Sequence, residues 1–212
     1  MRLLIAVFTT VGLMAGSYGI AQAADKHLFY VHGCCVKDKN DPKAKAYEVI
    51  IQDLKKSGFD VVFELRYSDV ADSDAHAHAY AAKIADQVQA LLAKGTVPED
   101  ITVAGYSLGS MTTLVASGLI GNSKVNFVLI AGCPVNSKIK VTIDYSMVKG
   151  RVLSIVDTKD ENFGSCNGRL PQGIIHKEVV VNSGEGHALF WHAEEKQINL
   201  WKNPLVAWAN GK

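Results

Sequence analysis

Apolar positions along the chain fall into short continuous runs, separated by longer segments in which they recur every three or four residues. The runs are rich in Val, Ile, Leu and Phe: residues 27–33 (HLFYVHG), 60–65 (DVVFEL), 101–105 (ITVAG), 125–132 (VNFVLIAG), 151–157 (RVLSIVD) and 174–181 (IIHKEVVV). Continuous rather than alternating hydrophobicity predicts strands of a sheet buried on both faces. Helical spacing occupies residues 42–57, the Ala-rich 77–95, the stretch after Ser107 and a final segment carrying Trp191, Trp201 and Trp208. Strand and helix taking turns predicts right-handed crossovers and a mostly parallel sheet, an α/β chain folded as a three-layer α/β/α sandwich. No repeat, low-complexity stretch or linker interrupts the pattern, so residues 24–212 read as a single domain.

The first residues follow another rule. Arg2 precedes an uncharged stretch over 3–24 that closes on Ala21-Gln22-Ala23. A basic start, an apolar middle and small residues at the cut site predict a signal peptide over 1–23, hence export to a periplasm or the exterior. Once the leader is cleaved, no stable membrane insertion is expected. Export directs the reading of Cys34, Cys35, Cys133 and Cys166 towards disulfides, of which four cysteines allow three arrangements. Cys34 and Cys35 are adjacent, which favours separate partners or free thiols for them. There is no C-x-x-C pair to point to a redox motif or a structural zinc site.

Composition adds a bound rather than a direction. The 212 residues are 48% hydrophobic and 20% charged, enough for one sizeable core. Lys and Arg number 22 against 21 Asp and Glu, a net charge of +1, so a nucleic-acid partner or a polybasic membrane patch is not indicated. Folding calls for no cofactor and no metal. His76 and His78 sit near Asp72 and Asp74, but two histidines one residue apart on a helix face different ways. The Asp and Ser residues there fit an N-cap.

Chemistry concentrates at Gly105-Tyr106-Ser107-Leu108-Gly109, where the strand ITVAG meets a helix. A serine at such a turn is a candidate nucleophile. Gly105 and Gly109, two positions either side, leave room for strand and helix to cross closely. The helix that starts there aims its first N–H groups at any negative charge developing beside the serine.

Three segments, FYVHGCC, VAGYSLGS and VDTKDENFG with GEGHALF, give the mature chain a resemblance to small, lidless α/β-hydrolases. In that fold the catalytic triad runs serine, acid, histidine along the chain, with an earlier His-Gly loop completing the oxyanion hole. The resemblance implies Ser107 as nucleophile, Asp160 as acid with Asp157 as the alternative, and His187 as base, with the N–H groups of Leu108 and Cys34 as oxyanion donors. Relatives often carry more glycines where this chain has Cys34-Cys35, and a bridge from either cysteine would rigidify that loop. The usual strand order also puts Cys133 and Cys166 after neighbouring strands on the active-site side, which implies a Cys133–Cys166 disulfide. The implied activity is hydrolysis of small carboxylic esters or thioesters. Alternatives are amide or peptide cleavage and a catalytically silent binding protein on the same fold. The stretch 132–150 is too short for a large helical lid. Arg66 and Tyr67 end a strand on the ligand side, facing either a polar ligand group or Asp69 and Asp72.

Overall fold

Six strands lie side by side, every neighbouring pair parallel, in the order Phe59–Phe63, Lys26–Val31, Ile101–Tyr106, Asn126–Ile130, Arg151–Asp157 and Ile175–Val181. A computed structural model describes residues 26–68, 72–138 and 140–212, so the signal peptide expected over 1–23 lies outside the described residues. Along the chain come β1 (Lys26–Val31), α1 (Pro42–Lys56), β2 (Phe59–Phe63), α2 (Asp74–Ala93), β3 (Ile101–Tyr106), α3 (Leu108–Ile120) and β4 (Asn126–Ile130). They are followed by β5 (Cys133–Pro134), β6 (Arg151–Asp157), β7 (Phe163–Gly164), β8 (Ile175–Val181) and α4 (Glu195–Ala209). Short β5 and β7 form a separate antiparallel pair.

Side chains that alternate across the strands feed two cores, one on each face. Leu28 and Tyr30 of β1 join Val128 and Ile130 of β4 against Tyr47, Ile50 and Leu54 of α1 and Trp201, Leu205 and Trp208 of α4. Their sequence neighbours Phe29, Val31, Phe127 and Leu129 point the other way, against Ala81, Ile84 and Val88 of α2 and Leu114 and Ile120 of α3. The sheet is therefore covered on both sides, as continuous apolar strands require. The result is the three-layer α/β/α sandwich read from the pattern.

Helix starts follow local chemistry. Asp41 caps α1 by accepting the Lys43 N–H at 2.9 Å, with Pro42 in the first turn. Ser73 caps α2 by accepting the His76 N–H at 3.2 Å. Several predicted elements end early: β1 stops at Val31 and β2 at Phe63. β4 stops at Ile130 because Ala131 and Gly132 turn to positive φ, 89° and 82°. The final helical segment is split into a 3-10 helix, Gly186–Trp191, and α4. His192 lies at the break, in extended backbone rather than on a helix, with Nδ1 2.7 Å from Glu185 Oε2.

Candidate active site

Loops leave the C-terminal ends of the parallel strands on one edge of the sheet, where ligands bind in open sheets of this kind. Register aligns Val31 with Gly105, and Tyr106 with Ile130. Ser107 stands directly after β3 with φ 57° and ψ −117°, backbone angles that side chains other than glycine rarely adopt. Its N–H still donates to Ile130 O at 3.1 Å, and Ser110 Oγ donates to Gly105 O and Ile130 O, both at 2.9 Å. Strand end and helix start are thereby tied to β4. A β-carbon on Gly105 would strike the Gly109 carbonyl, and one on Gly109 would strike the carbonyl of Val31. Both glycines are demanded by that close approach.

Ser107 holds the N-cap position of α3, yet its side chain makes no capping bond. A serine there ordinarily accepts an N–H of the first turn. Its hydroxyl instead lies 2.9 Å from His187 Nε2, while His187 Nδ1 lies 2.6 Å from Asp160 Oδ2. An ionised carboxylate only accepts, so Nδ1 carries the proton and Nε2 accepts from the serine hydroxyl. Asp160 Oδ1 accepts the N–H groups of Asn162 and Phe163 at 2.9 and 3.1 Å, which fixes a side chain with no solvent exposure.

Asp157, the alternative acid, faces elsewhere. It accepts the Lys159 N–H on one oxygen and both the N–H and the hydroxyl of Ser183 on the other. Burial pushes its carboxyl up, but the hydrogen bonds from Ser183 and Lys159 outweigh it and hold the group below the usual carboxylate range.

Two residues not singled out from sequence hold the imidazole. Phe163 stacks on the His187 ring at 5.1 Å and 18°, and Tyr106 donates its hydroxyl to His187 O at 2.8 Å. Phe163 sits in the quoted DENFG and Tyr106 in the elbow itself, so the signal was present as aromatic residues beside the expected acid and nucleophile.

The N–H groups of Leu108 and Cys34 have no hydrogen-bond partner among the described residues, although the backbone around them is paired. Cys34, Cys35, Ser107, Leu108, Met111, Ser137, Lys138, Asn162, Phe163 and His187 line a cavity of about 200 Å³. Lys138 and Met111 carry no motif that would have exposed them beforehand, whereas Asn162 lies in the same DENFG stretch as Asp160 and Phe163.

The cysteines pair differently from the expectation for two of them. Cys133 and Cys166 are bonded, joining the loop after β4 to the segment after β7. Cys34 and Cys35 are neither free nor bonded to distant partners; they are bonded to each other. With Cys133 and Cys166 occupied by one another, the adjacent pair has no other cysteine to reach. Cys34, Cys35 and Asp72 are the one group of potential metal-ligating side chains among the described residues, their donor atoms within 4.8 Å. Both sulfurs are disulfide-bonded, so neither is available as a thiolate ligand.

Arg66 makes no hydrogen bond to Asp72, and Asp69 lies outside the described residues. Arg66 is buried, its Nη2 donating to His32 O at 2.7 Å and its guanidinium lying 4.4 Å over the Tyr80 ring. Its backbone N–H donates to His32 Nε2 at 2.8 Å. Tyr67 remains exposed at the surface. His78 meets Thr142 O and Asp74, and the His76 N–H donates to the Ser73 cap.

Sheet order, nucleophile-type elbow and covered faces together define an α/β-hydrolase fold. Solved structures agree on the architecture. The chain resembles SOBER1 from Arabidopsis thaliana, with a TM-score of 0.55 and 15% identity over 89% of this chain and 99% of that one. It is similar to a carboxylesterase from Mesorhizobium loti, with a TM-score of 0.53, 15% identity and 90% of each chain covered. Esterase PE8 is a further likeness, with a TM-score of 0.51 and 14% identity over 89% of this chain and 93% of that one. Neither a protein-family model nor a curated protein matches the sequence.

Proposed function

We propose that this protein is an exported serine hydrolase that cleaves small carboxylic esters or thioesters through an acyl-enzyme on Ser107. The observation that carries the reading is the continuous chain Asp160–His187–Ser107, at 2.6 and 2.9 Å, beside two N–H groups that have no partner among the described residues. The solved esterases that share the fold support the same chemistry.

His187 Nε2 takes the hydroxyl proton as Ser107 Oγ attacks the acyl carbonyl carbon. Asp160 keeps the imidazole in the tautomer that can accept, and stabilises the imidazolium once formed. Negative charge develops on the carbonyl oxygen, where the N–H groups of Leu108 and Cys34 receive it; one such donor contributes about 3 kcal/mol to lowering the barrier. His187 then protonates the leaving oxygen or sulfur, and water, deprotonated by the same imidazole, releases the acid. A cavity of about 200 Å³ suits a short acyl group, with the leaving group held towards solvent. Export is supported by the leader-like residues 1–23 and by two disulfides, which persist in oxidising compartments.

The test is a fluorophosphonate probe on the mature protein, with the adduct located by mass spectrometry. An adduct on Ser107 that disappears in His187→Ala supports an activated nucleophile. Well-folded protein that takes no label would instead mark a binding protein on a hydrolase fold.

A further inference from the structure

The loop over residues 32–35 is fastened at several backbone groups. His32 O accepts from Arg66 at 2.7 Å, the Gly33 N–H donates to Tyr47 Oη at 3.3 Å, and the Cys35 N–H donates to Asp72 Oδ2 at 3.0 Å. The Cys34 N–H has no partner among the described residues, in a residue that lines the same cavity as Ser107 and His187. Cys34 and Cys35 then close a disulfide on themselves. A bond between adjacent cysteines makes an eight-membered ring that contains the peptide between them. Within it Cys35 has φ 69°, a conformation costly for a residue with a side chain. Opened to two thiols, the segment loses the covalent tie that holds Cys35 there, and relaxation to negative φ turns the peptide beside Cys34.

We infer that the Cys34–Cys35 disulfide is a positioning element of the Ser107 site, holding the loop so that the Cys34 N–H meets the oxyanion, and that turnover requires this pair oxidised. The inference rests on the hydrolase reading above. A dithiol reductant opens the pair: its thiolate attacks one cysteine sulfur and expels the other cysteine as a thiolate, and its second thiol then attacks the reductant's own sulfur in the mixed disulfide and releases the first cysteine. Two electrons and two protons pass to the cysteines, leaving two thiols, and the reductant becomes a cyclic disulfide. Cys35 is exposed and Cys34 partly so, whereas Cys133 and Cys166 have no solvent exposure. Mild reduction therefore opens the adjacent pair first.

The experiment uses the mature protein, p-nitrophenyl acetate and graded dithiothreitol. Alkylation and peptide mass spectrometry report which cysteines are reduced, and a fluorophosphonate titrates the competent active sites. With Cys34 and Cys35 reduced and Cys133–Cys166 intact, kcat per titrated site should fall about 100- to 1000-fold while KM moves less than about twofold, as for a lost oxyanion donor. Reoxidation should restore kcat. The C34S/C35S variant should match the reduced protein and ignore reductant; if it fails to fold, the reduced wild-type protein decides the question by itself. A purely structural role would lower the number of titratable sites and leave kcat per site unchanged, which overturns the inference. So does an active oxidised protein indifferent to reduction, with the hydrolase reading intact. Oxidised protein that neither labels at Ser107 nor hydrolyses ester overturns the hydrolase reading and this inference with it.

Discussion

His187 and Asp160 meet through Nδ1 and Oδ2 at 2.6 Å, while Asp157, three residues before Asp160, is turned to Ser183 and Lys159. The two carboxylates thus separate into one that addresses the imidazole and one that shapes the turn. Asp160→Asn should lower kcat by a factor on the order of 10⁴, because an amide at that place no longer fixes the accepting tautomer. Asp157→Asn should leave kcat within about threefold and cost about 1–2 kcal/mol of stability through weakened charge-assisted bonds. Steady-state kinetics and chemical denaturation of the two variants check the division.

Gly109→Ala drives a methyl group into the Val31 carbonyl, a contact between backbones that no side-chain movement relieves. Overpacking of this kind costs about 1–3 kcal/mol or more. The expected outcome is a lower thermal midpoint together with a loss of labelling at Ser107. Ser110→Ala, which removes a staple without inserting bulk, should lower the midpoint less.

His32 supplies a pH dependence of stability. Burial first, and then the Arg66 charge, lower its pKa from 6.5 to about 3. Between those values the unfolded chain binds a proton that the folded protein refuses. The contribution is therefore complete above pH 6.5 and lost as pH falls towards 3, at about 1.4 kcal/mol per pH unit. Denaturation midpoints from pH 7 to pH 4 should fall more steeply for the native protein than for His32→Gln by about that slope. Equal slopes would remove His32 from the account.

The Cys133–Cys166 bond closes a loop of sequence separation 33, which constrains the unfolded chain by about 3–4 kcal/mol. C133S/C166S should show that loss in denaturant titration. The same bond spans the segment on which Asp160 and Phe163 lie, so the variant should also turn over less at temperatures still below its melting transition.

Acyl length gives a direct probe of the cavity. A volume of about 200 Å³ holds few carbons beyond the carbonyl. Across p-nitrophenyl acetate, butyrate and octanoate, kcat/KM should peak at acetate or butyrate and drop at octanoate. A preference for octanoate would place the acyl chain elsewhere.

The sheet was legible because its strands announce themselves as unbroken Val, Ile and Leu runs, and a run buried on both faces has few other homes. Strand ends were less so: β4 ends where Ala131 turns to positive φ, which nothing in an alanine betrays. Ser107, Asp160 and His187 could be picked out by their order and by the glycines around them, and the fold brings these three side chains together. The adjacent disulfide could not be, since a bond between neighbouring cysteines depends on a loop angle at Cys35 that the sequence does not display. The contacts of Arg66 were equally hidden: a position at a strand end suits a ligand or a nearby carboxylate alike, and nothing in the sequence points to the buried His32 carbonyl and the Tyr80 ring that it meets.

His187 follows β8, the outermost strand, which pairs with β6 alone, and it stands 80 residues beyond the serine it addresses. Pairing over such distances along the chain is the slow part of folding a parallel sheet. An incompletely folded or unfinished chain therefore carries Ser107 without His187 beside it. On the proposed function, reactivity arrives only when that last edge of the sheet docks, so the return of ester hydrolysis during refolding should time the closure of the sheet.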